Sequence, residues 1–163
     1  MRDSAGQFSK AEKLYEGKAK VVFQVQENNE LVWLEYKNSL TAFNAQKKGE
    51  FEGKGTLNCK ITTLIFAYLE KQKIKTHWVS SPGAQSMVAK KVQIIPIEVV
   101  VRNVLAGSTA KKFNIDEGTP LAQPLVEFYF KDDALGDPFI SDDQAVMLKA
   151  ATHAELSILK EKA

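Results

Sequence analysis

The chain has 163 residues, 44% of them hydrophobic and 26% charged, the make-up of a globular protein with one good-sized core or two small lobes. A formal net charge of +2 argues against a nucleic-acid partner, and a single cysteine, Cys59, leaves no internal disulfide and no cysteine–histidine zinc site. No apolar run is long enough to span a bilayer and no secretory signal is recognisable, so a cytoplasmic protein without a membrane partner is expected.

In chain order, the polar opening MRDSAGQFSKAE, residues 1–12, is expected to be flexible. The stretches AKVVFQV, ELVWLEYK, KTHWVSS, SMVAKKVQIIP, IEVVVRNVLAG and PLVEFYFK carry the β-branched and aromatic content of strands, with turn signals such as ENNE and SSPGAQ between them. Strands with so few helices between them predict antiparallel pairing and an α+β fold. One long helix is predicted in TLNCKITTLIFAYLEKQK, where Leu57, Ile61, Leu64, Ile65, Tyr68 and Leu69 recur at three- and four-residue steps. That stripe is expected to face the sheet, with Cys59 a buried small hydrophobe. SDDQAVMLKAA and THAELSILKEKA each open with a capping box, Ser141 with Gln144 and Thr152 with Glu155. The second ends just as Leu156 and Leu159 begin an apolar stripe, which invites a partner surface. The best lobe boundary is SSPGAQ, giving a flexible 1–12, an antiparallel lobe with the long helix over 13–83, and the start of a second α+β lobe over 84–163.

Four stretches carry polar groups that a plain core does not explain. In EGKAK, an extended backbone would put Lys18 and Lys20 on one face, with Gly17 allowing close approach to a phosphate; an edge hairpin that needs a glycine turn and protective lysines is the alternative. In NSLTAFNAQKKGEFEGKGTLN, glycines and lysines before a helix start suit either an anion site or a surface loop. Only two of the 22 basic residues are arginines, and one of them, Arg102, interrupts PIEVVVRNVLAGS together with Glu98 and Ser108. Alternation places Glu98 and Arg102 on one strand face, which allows either an ion pair between them or an Arg102 fork on a ligand carboxylate or phosphate. Asp132, Asp133 and Asp137 in FKDDALGDP are either turn formers or ligands for an amine or magnesium.

Taken together and in this order, KLYEGKAK, LTAFNAQKKG, GKGTLN, KKVQIIPIEVVVRNVLAGS and FKDDALGDPFI resemble the SAICAR synthetase family over roughly residues 13–140. The resemblance implies an ATP-grasp-like fold in which an antiparallel N-terminal lobe and an α+β second lobe sandwich ATP. It also implies a ligase of purine biosynthesis that joins L-aspartate to carboxyaminoimidazole ribotide, using ATP and magnesium. By that resemblance Gly17, Lys18, Ala19 and Lys20 contact the ATP phosphates, Lys91, Val92 and Ile94 line the adenine pocket, and Glu98 lies beside it. Arg102 and Ser108 hold the ribotide or succinyl carboxylates, Asp137 is a further substrate-site residue, and Arg102 and Asp137 are the catalytic candidates.

Two departures from the family pattern stand out. Ser39 occupies a position where many relatives carry an acid. The family continues into KLEFG and DE-SPD elements that hold its magnesium carboxylates, and neither occurs in this chain, so the second lobe is expected to be incomplete and the metal ligands are unknown. An active chain would need Glu98, Asp132, Asp133, Asp137 or a neighbouring subunit for that role, with self-association or pairing with a full-length relative. The alternative expectation is an inactive nucleotide- or ribotide-binding protein that modulates a partner.

Overall fold

The computed structural model describes residues 7–42 and 47–163. The chain divides into two compact units, one ending at Val92 and the other beginning at Gln93.

The first unit is built on a five-stranded sheet. Its strands are β1 (Lys10–Glu16), β2 (Lys20–Val25), β3 (Asn28–Tyr36), β6 (Trp78–Gly83) and β7 (Ser86–Lys90), in the spatial order β1-β2-β3-β7-β6. Every pairing is antiparallel, as the strand-rich pattern predicts. Because β7 lies between β3 and β6, the first sheet extends past the SSPGAQ turn, and the compact units divide at 92/93 instead of 83/84. Of the polar opening, residues 1–6 lie outside the described residues, and residues 8–12 are tied to the sheet. Phe8 packs beside the buried Val25, Leu31 and Val88, the Ser9 amide donates to Glu27 Oε2 at 2.8 Å, and Lys10 already pairs with Val25 as an edge strand.

Strands β4 (Ser39–Ala42) and β5 (Lys47–Glu50) form a separate antiparallel ribbon, and helix α1 (Lys54–Lys71) follows. The Phe43–Gln46 portion of the LTAFNAQKKG stretch lies outside the described residues. Helix α1 does not bury its most apolar stripe. Leu57, Ile61, Leu64, Ile65 and Tyr68 are all more than half exposed, whereas Gly55 and Cys59 are buried and Phe66 packs on the core of Leu34, Tyr36, Met87 and Ala89. The helix is apolar on two sides, so periodicity alone offers two candidate faces. On the side that meets the sheet, the small residues Gly55 and Cys59 permit close approach.

Gly55 shows the tolerance. A Cβ there would lie 2.6 Å from the Tyr36 carbonyl oxygen, a backbone atom that cannot swing away. We expect Gly55→Ala to lose about 1 kcal/mol or more, since overpacking of about 1–3 kcal/mol outweighs a helix-propensity gain of at most about 1 kcal/mol. Urea denaturation followed by Trp33 and Trp78 fluorescence reads the change directly; an unchanged or raised midpoint would refute the close-packing account.

The second unit has a three-stranded antiparallel sheet, β10-β9-β8, from β8 (Ile97–Val104), β9 (Pro120–Phe130) and β10 (Phe139–Ile140). Helix α2 (Gly107–Phe113) follows β8, and α3 (Asp142–Met147) and α4 (His153–Lys162) close the chain. Both predicted capping boxes form: Ser141 accepts from the Gln144 amide while Gln144 accepts from the Ser141 amide, and Thr152 and Glu155 do the same. One sheet face supplies Ile97, Val99, Val126, Phe128 and Phe130 to a core with Ile140, Ala145, Ala151 and Leu156. Leu156 is 1% exposed and Leu159 packs against the same cluster, so this stripe finds its partner within the unit instead of awaiting another chain. No helix among the described residues is long and apolar enough to cross a membrane.

Candidate functional site

In the first unit the candidate phosphate segment is a turn, not an extended strand. Glu16 ends β1, Lys20 begins β2, and the Gly17 amide donates to the Lys20 carbonyl at 2.9 Å across the link. Strand alternation therefore does not apply to Lys18 and Lys20, and the two differ in setting. Lys18 is exposed at the turn, whereas Lys20 is half-buried with its ammonium 5.0 Å from the Tyr36 ring centroid. The turn backbone is held from outside: Lys37 donates its amide to the Ala19 carbonyl at 2.9 Å, and Ser39 Oγ donates to the Lys18 carbonyl at 3.0 Å. Ser39, the departure from the family's acid, thus pins the backbone of Lys18. Lys37 Nζ also pairs with Glu16 at 2.7 Å, and hydrogen bonds from Lys37 and then Lys13 hold the Glu16 carboxyl below its ordinary range.

Gly17 has no left-handed backbone, and a Cβ on it would meet the exposed Tyr15 ring at 3.3 Å and, at an ordinary contact distance of 3.7 Å, the Lys20 carbonyl oxygen. Nothing in the local fold demands glycine there. The start of α1 reads differently. Its Lys54 amide donates to the Phe51 carbonyl at 3.1 Å, its Gly55 amide to Asn38 Oδ1 at 2.8 Å, and Lys54 Nζ to the Ser39 carbonyl at 2.6 Å. Those donors anchor the helix start to neighbouring turns, so the expected anion site at this terminus is largely occupied by protein. Burial pushes the Cys59 thiol up, which keeps it protonated and unreactive, and burial first and the Lys20 charge second push His77 down.

In the second unit alternation holds along β8, and the register with β9 decides the partners. Glu98 opposes Tyr129, Val100 opposes Glu127 and Arg102 opposes Leu125, so these six residues share the sheet face opposite the core. Glu98 and Arg102 do lie on one face but do not pair with each other. Arg102 Nε donates to Glu127 Oε2 at 2.7 Å and Nη1 to the Ala106 carbonyl at 3.2 Å. Glu127 Oε1 accepts from Thr109 Oγ1 at 2.7 Å, and Oε2 accepts from the Tyr129 hydroxyl at 3.1 Å. The Glu127 side chain is 6% exposed and the Arg102 side chain 16%. Burial pushes the Glu127 carboxyl up, but the hydrogen bonds from Arg102, Thr109 and Tyr129 together outweigh it and leave the group below its ordinary value of 4.5. A cleft of about 390 Å³ beside this network is lined by Ser108, Thr109, Lys112, Phe113, Tyr129 and Phe139, among others.

Glu98 belongs to a second cluster. Lys131 Nζ pairs with Glu98 at 3.4 Å and closely with Asp137, whose hydrogen bond, ahead of that from Glu98, holds the ammonium more firmly protonated than usual. Asp137 sits at φ +50 directly after Gly136 at φ +70, and its Oδ1 accepts from the Asp132 amide at 2.9 Å. Asp132 Oδ1 accepts in turn from the Ala134 and Leu135 amides, so this loop uses its acids as turn formers and for an internal amine. Among the described residues no three His, Cys, Asp or Glu side chains converge in a way that fits a magnesium ion. Lys91 and Val92 end the first unit, while Ile94, 80% exposed, lies in the second just after its first residue and lines a cleft of about 750 Å³ with Gln93 and Pro96.

Two polar groups of these clusters, Glu127 and Lys131, were not among the sequence candidates. Each is legible only as a polar residue interrupting PLVEFYFK, and its partner is set by strand register.

The SAICAR synthetase family profile matches residues 13–163. Curated relatives named phosphoribosylaminoimidazole-succinocarboxamide synthase include one from Halalkalibacterium halodurans, 53% identical over 150 residues and covering 92% of this chain. Another, from Lysinibacillus sphaericus, is 52% identical over 155 residues and covers 95%. The chain spans 63% and 65% of the lengths of these two relatives. Among solved structures, a SAICAR synthetase (Type-2) in complex with ADP aligns with a TM-score of 0.83 at 39% identity, covering 90% of this chain and 62% of that one. The enzyme from Ehrlichia chaffeensis aligns with a TM-score of 0.83 at 40% identity, covering 93% and 65%. With α+β units, antiparallel sheets and a profile match that runs from Lys13 to the last residue, the chain belongs to the SAICAR synthetase family.

Proposed function

We propose that the chain acts in an ATP-dependent carbon–nitrogen ligase of purine biosynthesis, in the cytoplasm, joining L-aspartate to carboxyaminoimidazole ribotide. The observation that carries this reading is the family match through residues 13–163, which spans all five motifs. In the reaction, the ribotide carboxylate attacks the γ-phosphorus of ATP to give an acyl phosphate and ADP. The aspartate amine then attacks the acyl carbon, inorganic phosphate leaves, and the amine sheds a proton to give the amide.

Both steps build negative charge on phosphoryl oxygens, so cations aimed at those oxygens lower the barriers. In this reading Lys18 and Lys20 face the nucleotide phosphates, with Gly17 and Ala19 presenting turn backbone to them. Gly17 supports the assignment because its conformation does not call for glycine, whereas close approach by a ligand does. Lys91, Val92 and Ile94 serve the adenine, with Glu98 beside them. Arg102 and Ser108 hold the ribotide, and Asp137, tied to Lys131, serves the substrate side. Nε and Nη1 of Arg102 are both engaged by protein. The ligand contact is then made from the outer edge of the guanidinium. Magnesium is expected from the family; the described carboxylates do not fit it, so no step here is assigned to it.

Purified chain is tested with ATP, magnesium, aspartate and carboxyaminoimidazole ribotide, following ADP and succinocarboxamide by mass spectrometry. Product that is lost in Arg102→Lys supports the reading, because lysine keeps the charge but not the planar fork. No product and no ribotide binding from a folded sample would overturn it. Gly17→Ala separates ligand approach from folding. We expect its stability to change by less than about 0.5 kcal/mol, as for an unconstrained surface site, while ATP affinity falls by about tenfold. Unchanged ATP affinity would remove Gly17 from the site.

A further inference from the structure

We propose that Glu127 is a positioning residue, a buried carboxylate that orients Arg102 and the first turn of α2 toward the ribotide; this rests on the reading of Arg102 and Ser108 as ribotide-holding groups. A glutamate side chain 6% exposed on a sheet face is a costly choice for folding alone, since burying a charge is offset only when every lone pair is well used. Here three bonds are accepted, from three different elements: Arg102 on β8 at 2.7 Å and Tyr129 on β9 itself at 3.1 Å to Oε2, and Thr109 on α2 at 2.7 Å to Oε1.

The consequence is directional. The bond from Nε, with that from Nη1 to the Ala106 carbonyl, fixes the plane of the guanidinium and leaves its outer edge pointing one way. A planar fork held in advance loses little freedom when it meets a carboxylate or phosphate. The same carboxylate holds Thr109, the residue after Ser108, so a single side chain sets both ribotide candidates. Tyr129, whose ring meets Phe139 edge-on at 5.9 Å, donates to the same carboxylate oxygen as Arg102.

The test measures equilibrium binding of carboxyaminoimidazole ribotide to the wild type, Glu127→Gln, Glu127→Asp, Arg102→Lys and the double variant Arg102→Lys/Glu127→Gln. Glutamine keeps the size and one acceptor but offers Arg102 an amide in place of a carboxylate. We expect Glu127→Gln to weaken binding by about tenfold or more, the loss of a charge-assisted hydrogen bond, and Glu127→Asp to restore part of it. In the Arg102→Lys background the added Glu127→Gln change should cost clearly less than it does alone, because the part that acts through Arg102 is already lost and only the part through Thr109 remains. A purely structural role would instead give additive losses, and that result would overturn the proposal. Full binding by Glu127→Gln beside lost binding by Arg102→Lys would overturn positioning while leaving the ligase reading intact. Wild-type-like binding by Arg102→Lys, or none by the wild type, would overturn that reading and this proposal with it. Should Glu127→Gln fail to fold, Tyr129→Phe removes one donor from the carboxylate, and unchanged ribotide affinity there would count against the proposal.

Discussion

Arg102→Ala is expected to destabilise the second unit by about 3 kcal/mol or more, the range found when one member of a buried ion pair is removed. The reason is what remains. Glu127, 6% exposed, keeps its bonds from Thr109 and Tyr129 but loses its one charged partner among the described residues, so a buried carboxylate is left uncompensated. Replacing both residues, as Arg102→Leu with Glu127→Leu, should cost less than the single change, because no charge is then stranded. The pH dependence has a definite sign. In the wild type the folded-state Glu127 pKa lies below the ordinary 4.5, so its contribution to stability is present above 4.5 and is lost as pH falls through the folded-state value. In Arg102→Ala burial is left less opposed and the folded-state pKa rises. The difference between wild type and variant should therefore shrink as the solution is acidified. The groups acting on Glu127 are Arg102, Thr109 and Tyr129, with Lys112 lining the same cleft. Both tryptophans, Trp33 and Trp78, lie in the first unit, so hydrogen exchange over residues 97–130 is the appropriate probe. A loss of less than about 0.5 kcal/mol, typical of exposed sites, would mean that the pair is solvated in solution.

What the sequence made legible is what local chemistry decides. The capping boxes at Ser141 and Thr152 need only residues three apart, and both formed. Alternation along IEVVVRN correctly placed Glu98 and Arg102 on one face. The partner of Arg102 was not legible, because Glu127 is 25 positions away and the pairing depends on the β8–β9 register. Alternation also misled at EGKAK, where the chain turns between Glu16 and Lys20 and the period of two does not apply. For α1 the apolar pattern was real, but hydrophobicity did not select the buried face, which is the one where Gly55 permits close approach. Of the candidate site, the motif order carried the family, while the internal ties of Arg102, Lys131 and Lys54 required coordinates. Each of those ties changes what a ligand could still reach.

Phe128→Ala is expected to be the most damaging single core substitution in the second unit, at about 3–5 kcal/mol. Phe128 is 3% exposed on the central strand β9, opposite Val99 on β8 and Ile140 on β10. Several of the buried residues around it are small, Ala145 and Ala151 among them, and Leu156 supplies the large side chain from α4. Alanines cannot extend into the space a phenyl ring vacates, so the cavity would remain, and the cost of a cavity grows with the volume left unfilled. The ring also lies 5.5 Å from Lys160 Nζ, an additional contact between β9 and α4 that the substitution removes. Leu135→Ala, in the same unit at a residue 62% exposed, is the matched control and should stay within about 0.5 kcal/mol. Guanidinium denaturation followed by hydrogen exchange over residues 97–162 separates the two. If Phe128→Ala falls near the Leu135 control, the three-stranded sheet and its two helices do not share the single apolar core described here; a large loss confined to Phe128→Ala identifies that core as what holds the polar face of β8 and β9 in register.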